Sequence, residues 1–144
     1  MTYTVPRFTD LEVGAVVAKA DLTVTRDDLV RYAGASGDFN PIHFNDAVAT
    51  SAGLPGVLAH GMLTAALGLQ VVTDWLGDPT TVVSYETRFT RPVVVDQVKG
   101  AELSISAKVA RLDDEERTAR IDVTVSAEGQ KVLGKTQAHL KFSA

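Results

Sequence analysis

The sequence predicts an α+β domain in which a curved antiparallel sheet wraps around one central apolar helix. Two observations carry this. Between Gly61 and Leu76 the residues recur at helical spacing yet are apolar nearly all round, and a helix of that kind has to be covered by other structure. After it come runs in which apolar and polar residues alternate, the period of strands buried on one side only. The length of 144 residues fits one domain, spanning 1–144, and 45% hydrophobic residues are enough for a real core.

The elements follow in order. Ala18, Ala20, Leu22 and Val24 alternate with Lys19, Asp21, Thr23 and Thr25 as a half-buried strand. Thr25-Arg-Asp-Asp28 reads as a helix start, with Thr25 as N-cap and Asp28 in the capping-box position. Leu29, Val30 and Ala33 face inward in this reading, and Gly34 to Gly37 end the helix. Residues 38–60 look mostly irregular, with a short helix near Asn45–Ala52 that stops at Gly53.

The long apolar helix, with Met62, Leu63, Leu67, Leu69, Val71, Val72, Trp75 and Leu76, closes at Gly77 and Pro79. Strands are predicted on Val83–Phe89, Ala101–Val109, Ala119–Ala127 and Val132–Phe142, with turns at Asp113–Glu116 and Glu128–Gly129. One wrapped helix followed by such a sheet is the description of the hotdog fold. The sequence shows neither an internal repeat nor a linker.

Composition narrows the function. Lys plus Arg number 14 against 18 Asp plus Glu, a net charge of −4 scattered along the chain. The basic patch that phosphate contacts of a nucleic-acid binder need is not visible. With no cysteine, disulfides, thiol nucleophiles and cysteine-ligated metals are excluded, which fits a reducing cytoplasm. Met1–Phe8 has neither a basic start nor an apolar stretch, so no signal peptide is suggested. The Gly61–Leu76 segment is shorter than the ~20 residues of a membrane span and is interrupted by Gln70, Thr73 and Asp74. No glycine-rich phosphate loop follows a strand, so no nucleotide cofactor is expected. The histidines at 43, 60 and 139 form no His-x-x-x-His pair, so no metal site is expected either.

Residues with catalytic potential cluster between 36 and 61: Ser36, Asp38, Asn40, His43, His60 and the backbone of Gly61. A carboxylate at Asp38 and an imidazole at His43 can divide general base and general acid duties. Asn40 offers a donor and an acceptor, enough to orient a water. Pro41 biases Asn40 toward an extended conformation, so Asp38–His43 is expected to be a stiff, strand-like segment. Yet Ser-Gly-Asp-x-Asn-Pro is also turn chemistry, with Asp and Asn bonding local backbone. Spacing alone does not choose between the two.

The segment Tyr32-Ala-Gly-Ala-Ser-Gly-Asp-Phe-Asn-Pro-Ile-His43, with Ala49 beyond it, resembles the signature of the MaoC-like (R)-specific enoyl-CoA hydratases and (3R)-hydroxyacyl-thioester dehydratases. Ala59-His-Gly-Met62 and Arg88-Phe-Thr-Arg-Pro-Val93 resemble the same family in the same order. The resemblance implies that Asp38 and His43, helped by Asn40, bind the water added to or removed from an acyl thioester. It also places the Gly61 amide against the thioester oxygen, where a helix N-terminus suits the developing negative charge. It further implies an acyl-CoA or acyl-carrier-protein thioester as substrate, no cofactor, and a second hotdog subunit, identical or a non-catalytic relative.

Three other groups carry weaker expectations. His60 either touches the substrate or caps its loop as a structural residue. Arg88 and Arg91 are candidates for the phosphates of the thioester carrier, although exposed arginines are usually just solvated. A Ser36–His43–Asp38 hydrolase triad is conceivable, but Ser36 lies in no Gly-x-Ser-x-Gly elbow. The rivals to a hydratase are a thioester hydrolase and a non-catalytic acyl-binding subunit.

Overall fold

A computed structural model of the protein describes residues 5–143. The N-terminal segment read above therefore falls partly, at residues 1–4, outside the described residues. Strand β1, Val16–Val24, leads directly into helix α1, Arg26–Ser36. The capping box forms as the sequence predicts. Thr25 N–H donates to Asp28 Oδ2 at 2.8 Å, and Asp28 N–H donates to Thr25 Oγ1 at 3.3 Å. The Thr25 backbone donor holds the Asp28 carboxyl below its usual range.

On α1, Leu29 and Ala33 are buried, being one turn apart. Val30, expected to face inward, is 62% exposed. A single apolar stripe meets the core here, and Val30 points about 100° away from Leu29. The helix also runs through Gly34 and ends only at Gly37, which takes the left-handed cap at φ +76°. The short helix α2, Asp46–Ser51, is capped by the Asn45 side chain and stops ahead of Gly53.

Helix α3 spans Gly61–Leu76, as the periodicity predicts. It is not covered all round, however. Thr64, Ala65, Gly68, Val71, Val72 and Leu76 are buried, while Met62, Ala66, Gln70 and Asp74 form an exposed stripe at i,i+4 spacing. One sheet covers one side of a helix, and only the flanking segments reach its edges.

That sheet is antiparallel throughout. Its strands are β1, β2 (Val82–Phe89), β3 (Ala101–Asp113), β4 (Thr118–Ala127), the two-residue β5 (Gln130–Lys131) and β6 (Leu133–Lys141). The order is β1-β3-β4-β6-β2, with β5 added against β4. The predicted inward residues of β3, Ala101, Leu103, Ile105, Ala107 and Val109, are buried, as are Ala119, Ile121, Val123 and Val125 of β4. Glu128 and Gly129 both have positive φ, the two-residue turn that matches the twist of a hairpin.

Strand β2 departs from its expected face. Val83 is 63% and Phe89 55% exposed, because β2 is an edge strand paired only with β6. Its register also slips between Val82 and Ser84 and between Glu86 and Arg88, so its alternation does not meet the core evenly.

Helix α3 packs against all five long strands. Tyr85 of β2 ties it down by donating its hydroxyl to the Ala65 carbonyl at 2.9 Å, and burial pushes this phenol up to about 12. Beside it, a Cβ on Gly68 would lie 3.0 Å from the Tyr85 hydroxyl and 3.2 Å from a Val125 methyl. Glycine is what lets the helix sit this close to the sheet. Replacing Gly68 by Leu is therefore expected to cost about 1–3 kcal/mol by overpacking, read as a lower urea midpoint with unchanged slope.

Candidate active site

The segment after α1 is organised by three successive side-chain bonds to backbone. Asp38 N–H donates to Ser36 Oγ, Asn40 N–H to Asp38 Oδ1, and Ile42 N–H to Asn40 Oδ1, at 3.1, 3.1 and 3.2 Å. Pro41–His43 then makes a single 3-10 turn. The expected strand-like stretch is absent here. The fixed φ of Pro41 also suits the first position of a helical turn, and the Asn40 oxygen caps that turn. Ser36 Oγ is engaged by the Asp38 amide, which weakens its reading as a nucleophile.

This turn brings the site residues together. One ligand atom from each of Asp38, His43 and His60 lies within 4.8 Å of the others. Asp38 is exposed and His43 is buried. His43 Nδ1 sits 2.6 Å from the Leu58 carbonyl. A carbonyl only accepts, so Nδ1 carries the hydrogen and Nε2 is left to exchange protons. Leu58 is itself fixed, because its N–H donates to the Ile42 carbonyl. The flanking backbone is pinned too, with Ala59 N–H on the Val93 carbonyl and Val95 N–H on that of Val57.

His60, fully buried, donates Nε2–H to the Asp38 backbone carbonyl at 3.1 Å. Its ring stacks on His43, with centroids 3.9 Å apart and planes at 24°. The Tyr32 ring lies against its flank at 4.7 Å. One nitrogen of each ring is already bonded to a backbone carbonyl, so each histidine has a single ring nitrogen left for any other partner.

Gly61 is the first residue of α3, and the His60 side chain does not cap the helix. The first N–H groups of a helix have no partner within it, so they are turned toward whatever approaches. A Cβ at Gly61 would lie 3.1 Å from the Phe89 ring, which keeps this end narrow. His43, Gly61, Thr64, Phe89 and Arg91 share the lining of a cavity of about 350 Å³. A neighbouring cleft of about 770 Å³ shares Arg91, Pro92, Val93 and Val132 with it and adds Lys99.

The predicted residues are thus partly gathered. Asp38, His43 and His60 cluster, and Gly61 faces the cavity that His43 lines. Arg91 lies where cavity and cleft meet, whereas Arg88 is an exposed residue of β2 that lines neither. Asn40 is exposed with its oxygen tied to the turn. His139, on β6 opposite Arg120 and Ser84, is half-buried and lines neither the cavity nor the cleft. Sequence reasoning missed Tyr32 as a ring packed on His60, and Thr64 and Phe89 as cavity residues. Thr64 carried one available signal, a polar residue in the first turn of an apolar helix. Arg26 was missed as well; it donates Nε–H to the Val95 carbonyl at 2.6 Å and pairs with Asp46, linking α1 to α2.

With this geometry in view, comparison with known proteins decides the family. The MaoC like domain matches residues 10–129. The chain belongs to this family. It is 33% identical over 128 residues to a 3-hydroxybutyryl-CoA dehydratase of Methylorubrum extorquens, covering 88% of this chain and 78% of that one. A 3-hydroxyacyl-thioester dehydratase X of Mycobacterium tuberculosis is 41% identical over 81 residues, 56% of this chain but 28% of that protein. Among solved structures, a MaoC-like dehydratase superposes with TM-score 0.93 at 40% identity, over 96% of this chain and 43% of that one. The ChsH1–ChsH2 complex of Mycobacterium tuberculosis shares the fold at TM-score 0.78 and 20% identity, over 92% of this chain and 98% of that one. The chain therefore spans less than half of two of these relatives and most of the other two. The α+β hotdog architecture expected from the sequence is shown by these likenesses. Among the described residues, no helix is long and apolar enough to cross a membrane.

Proposed function

We propose that this MaoC-like domain interconverts trans-2-enoyl thioesters and (3R)-hydroxyacyl thioesters in fatty-acid metabolism, a lyase reaction, with Asp38 and His43 as the catalytic pair. One observation carries the reading: a carboxylate and an imidazole are held within 4.8 Å, and that imidazole lines the same cavity as the first amide of a buried helix.

In hydration, Asp38 takes a proton from water as the water oxygen forms its bond to Cβ. The C=C electron pair moves toward Cα and the thioester carbonyl, building enolate charge that the Gly61 N–H stabilises. The proton on Asp38 passes to the free His43 Nε2 and from there to Cα, which restores both side chains. Dehydration runs these steps backwards. Water is the sole co-reactant in this balance, so the scheme calls for no cofactor. Asn40 supports the water site through the turn that aims Asp38.

Arg91, at the junction of cavity and cleft, is the better placed of the two arginines for the phosphates of coenzyme A or an acyl carrier protein. A second hotdog subunit, identical or a non-catalytic relative, is proposed against the open β2 edge, where Val83 and Phe89 are exposed. An unpaired edge with apolar residues favours association. For the identical-subunit version, light scattering of the purified protein should give twice the 15.3 kDa of the chain. A stable monomer would remove that version.

Asp38→Asn and His43→Gln should each lower kcat for hydration of crotonyl-CoA by about 10²–10⁴-fold. The assay follows loss of enoyl absorbance; wild-type rates in both variants would remove the assignment. Release of free thiol at the same rate would instead point to a thioester hydrolase. At Gly61, proline removes the N–H and adds a ring at a position where helices accept it. The preceding residue, at φ −58° and ψ 127°, already has the conformation proline requires. Gly61→Pro should lose about 10²–10³-fold in kcat relative to Gly61→Ala, which adds the same Cβ but keeps the donor.

A further inference from the structure

His60 is a costly residue for a structural one. It is 1% exposed, and its Nδ1 is buried with no hydrogen-bond partner among the described residues. A buried polar atom left unsatisfied destabilises a fold, and a phenyl ring would fill the same slot without that cost. Such a local violation is expected where function repays it.

What His60 touches shows where the return lies. Its Nε2–H holds the backbone carbonyl of Asp38, and its ring face lies on the ring of His43. One side chain thus contacts both members of the pair, from a position fixed by the start of α3 and by Tyr32 behind it. The His43 ring is consequently held twice, at its edge by the Leu58 carbonyl and on its face by His60. Asp38 is exposed, and the His60 bond to its carbonyl ties its backbone across to the start of α3.

We propose that His60 is the positioning residue of this site, locking the Asp38 backbone and the His43 ring into one rigid unit without itself touching the reacting atoms. This rests on the Asp38/His43 chemistry proposed above. It replaces both earlier expectations for His60, substrate contact and simple loop capping.

Three variants separate its two contacts. His60→Gln can keep a donor to the Asp38 carbonyl but loses the stacked ring. His60→Phe keeps the ring and loses the donor, and His60→Ala loses both. Each single loss should lower kcat by about tenfold and the double loss by about a hundredfold, because small misplacements of reacting groups cost that much. KM should stay within about twofold. In a His43→Gln background the same changes should cause no further loss, since residues acting as a unit are non-additive.

A KM effect alone would return His60 to substrate binding. An equal loss in the His43→Gln background would show a folding role, and wild-type kcat in His60→Ala would end the proposal. The geometry is also testable without activity. The protein has three histidines, so side-chain nitrogen NMR of the wild type should resolve His43 as the Nδ1–H tautomer and His60 as the Nε2–H tautomer. His60→Ala should leave that tautomer, which the Leu58 carbonyl sets, but free the His43 ring to move, read as faster ring relaxation; a His43 ring as rigid as in the wild type would overturn the proposal. If Asp38→Asn and His43→Gln remain active, the reading of the active site fails, while the NMR result still tests the contacts of His60.

Discussion

Helix α3 has to bury the apolar side formed by Thr64, Ala65, Gly68, Val71, Val72 and Leu76, and one antiparallel sheet covers it. This requirement sets most of the geometry. The helix must cross all five long strands, so it must lie close to them. Gly68 allows the approach, and the Tyr85 bond to the Ala65 carbonyl registers the helix against β2. Once the helix is seated, its N-terminus is seated too. The Gly61 amide, and His60 just before it, are placed at one end of the sheet by the same packing that makes the core.

The site assembles at that end from segments with little secondary structure of their own. Residues 57–59 and 93–95 support one another through short backbone pairing, and Arg26 at the start of α1 braces Val95. The loop carrying Asp38 and His43 is rigid because it is a succession of side-chain-to-backbone turns. Turn and active site were alternatives at the level of sequence. In the structure the turn is the device that carries the carboxylate to the imidazole, so the turn and the proposed active site are not exclusive.

The contrast between the strands is instructive about burial. Strands β3 and β4 are central, and each residue predicted inward from Ala101 to Val109 and from Ala119 to Val125 is buried. Strand β2 has equally regular alternation yet leaves Val83 and Phe89 exposed. Alternation reports which residues share a face; it does not report whether anything lies against that face. The same limit applies to Val30 on α1 and to the exposed stripe on α3. Their apolarity was legible, but the partner surface is a property of the assembled sheet.

Local physics in the sequence determined the capping box at Thr25, the ends of α3 at Gly61 and Gly77, the strand faces and the presence of a motif spanning Asp38 to His43. Each depends on residues close together in the chain, where propensity, capping and periodicity act directly. Tertiary structure decided what those elements meet. It placed His60 against residues 22 and 17 positions earlier, turned His43 Nδ1 toward Leu58, put Arg91 rather than Arg88 at the cavity, and left the β2 edge open. These are contacts between segments remote in sequence. They follow from how one helix and one curved sheet pack, which no local pattern encodes.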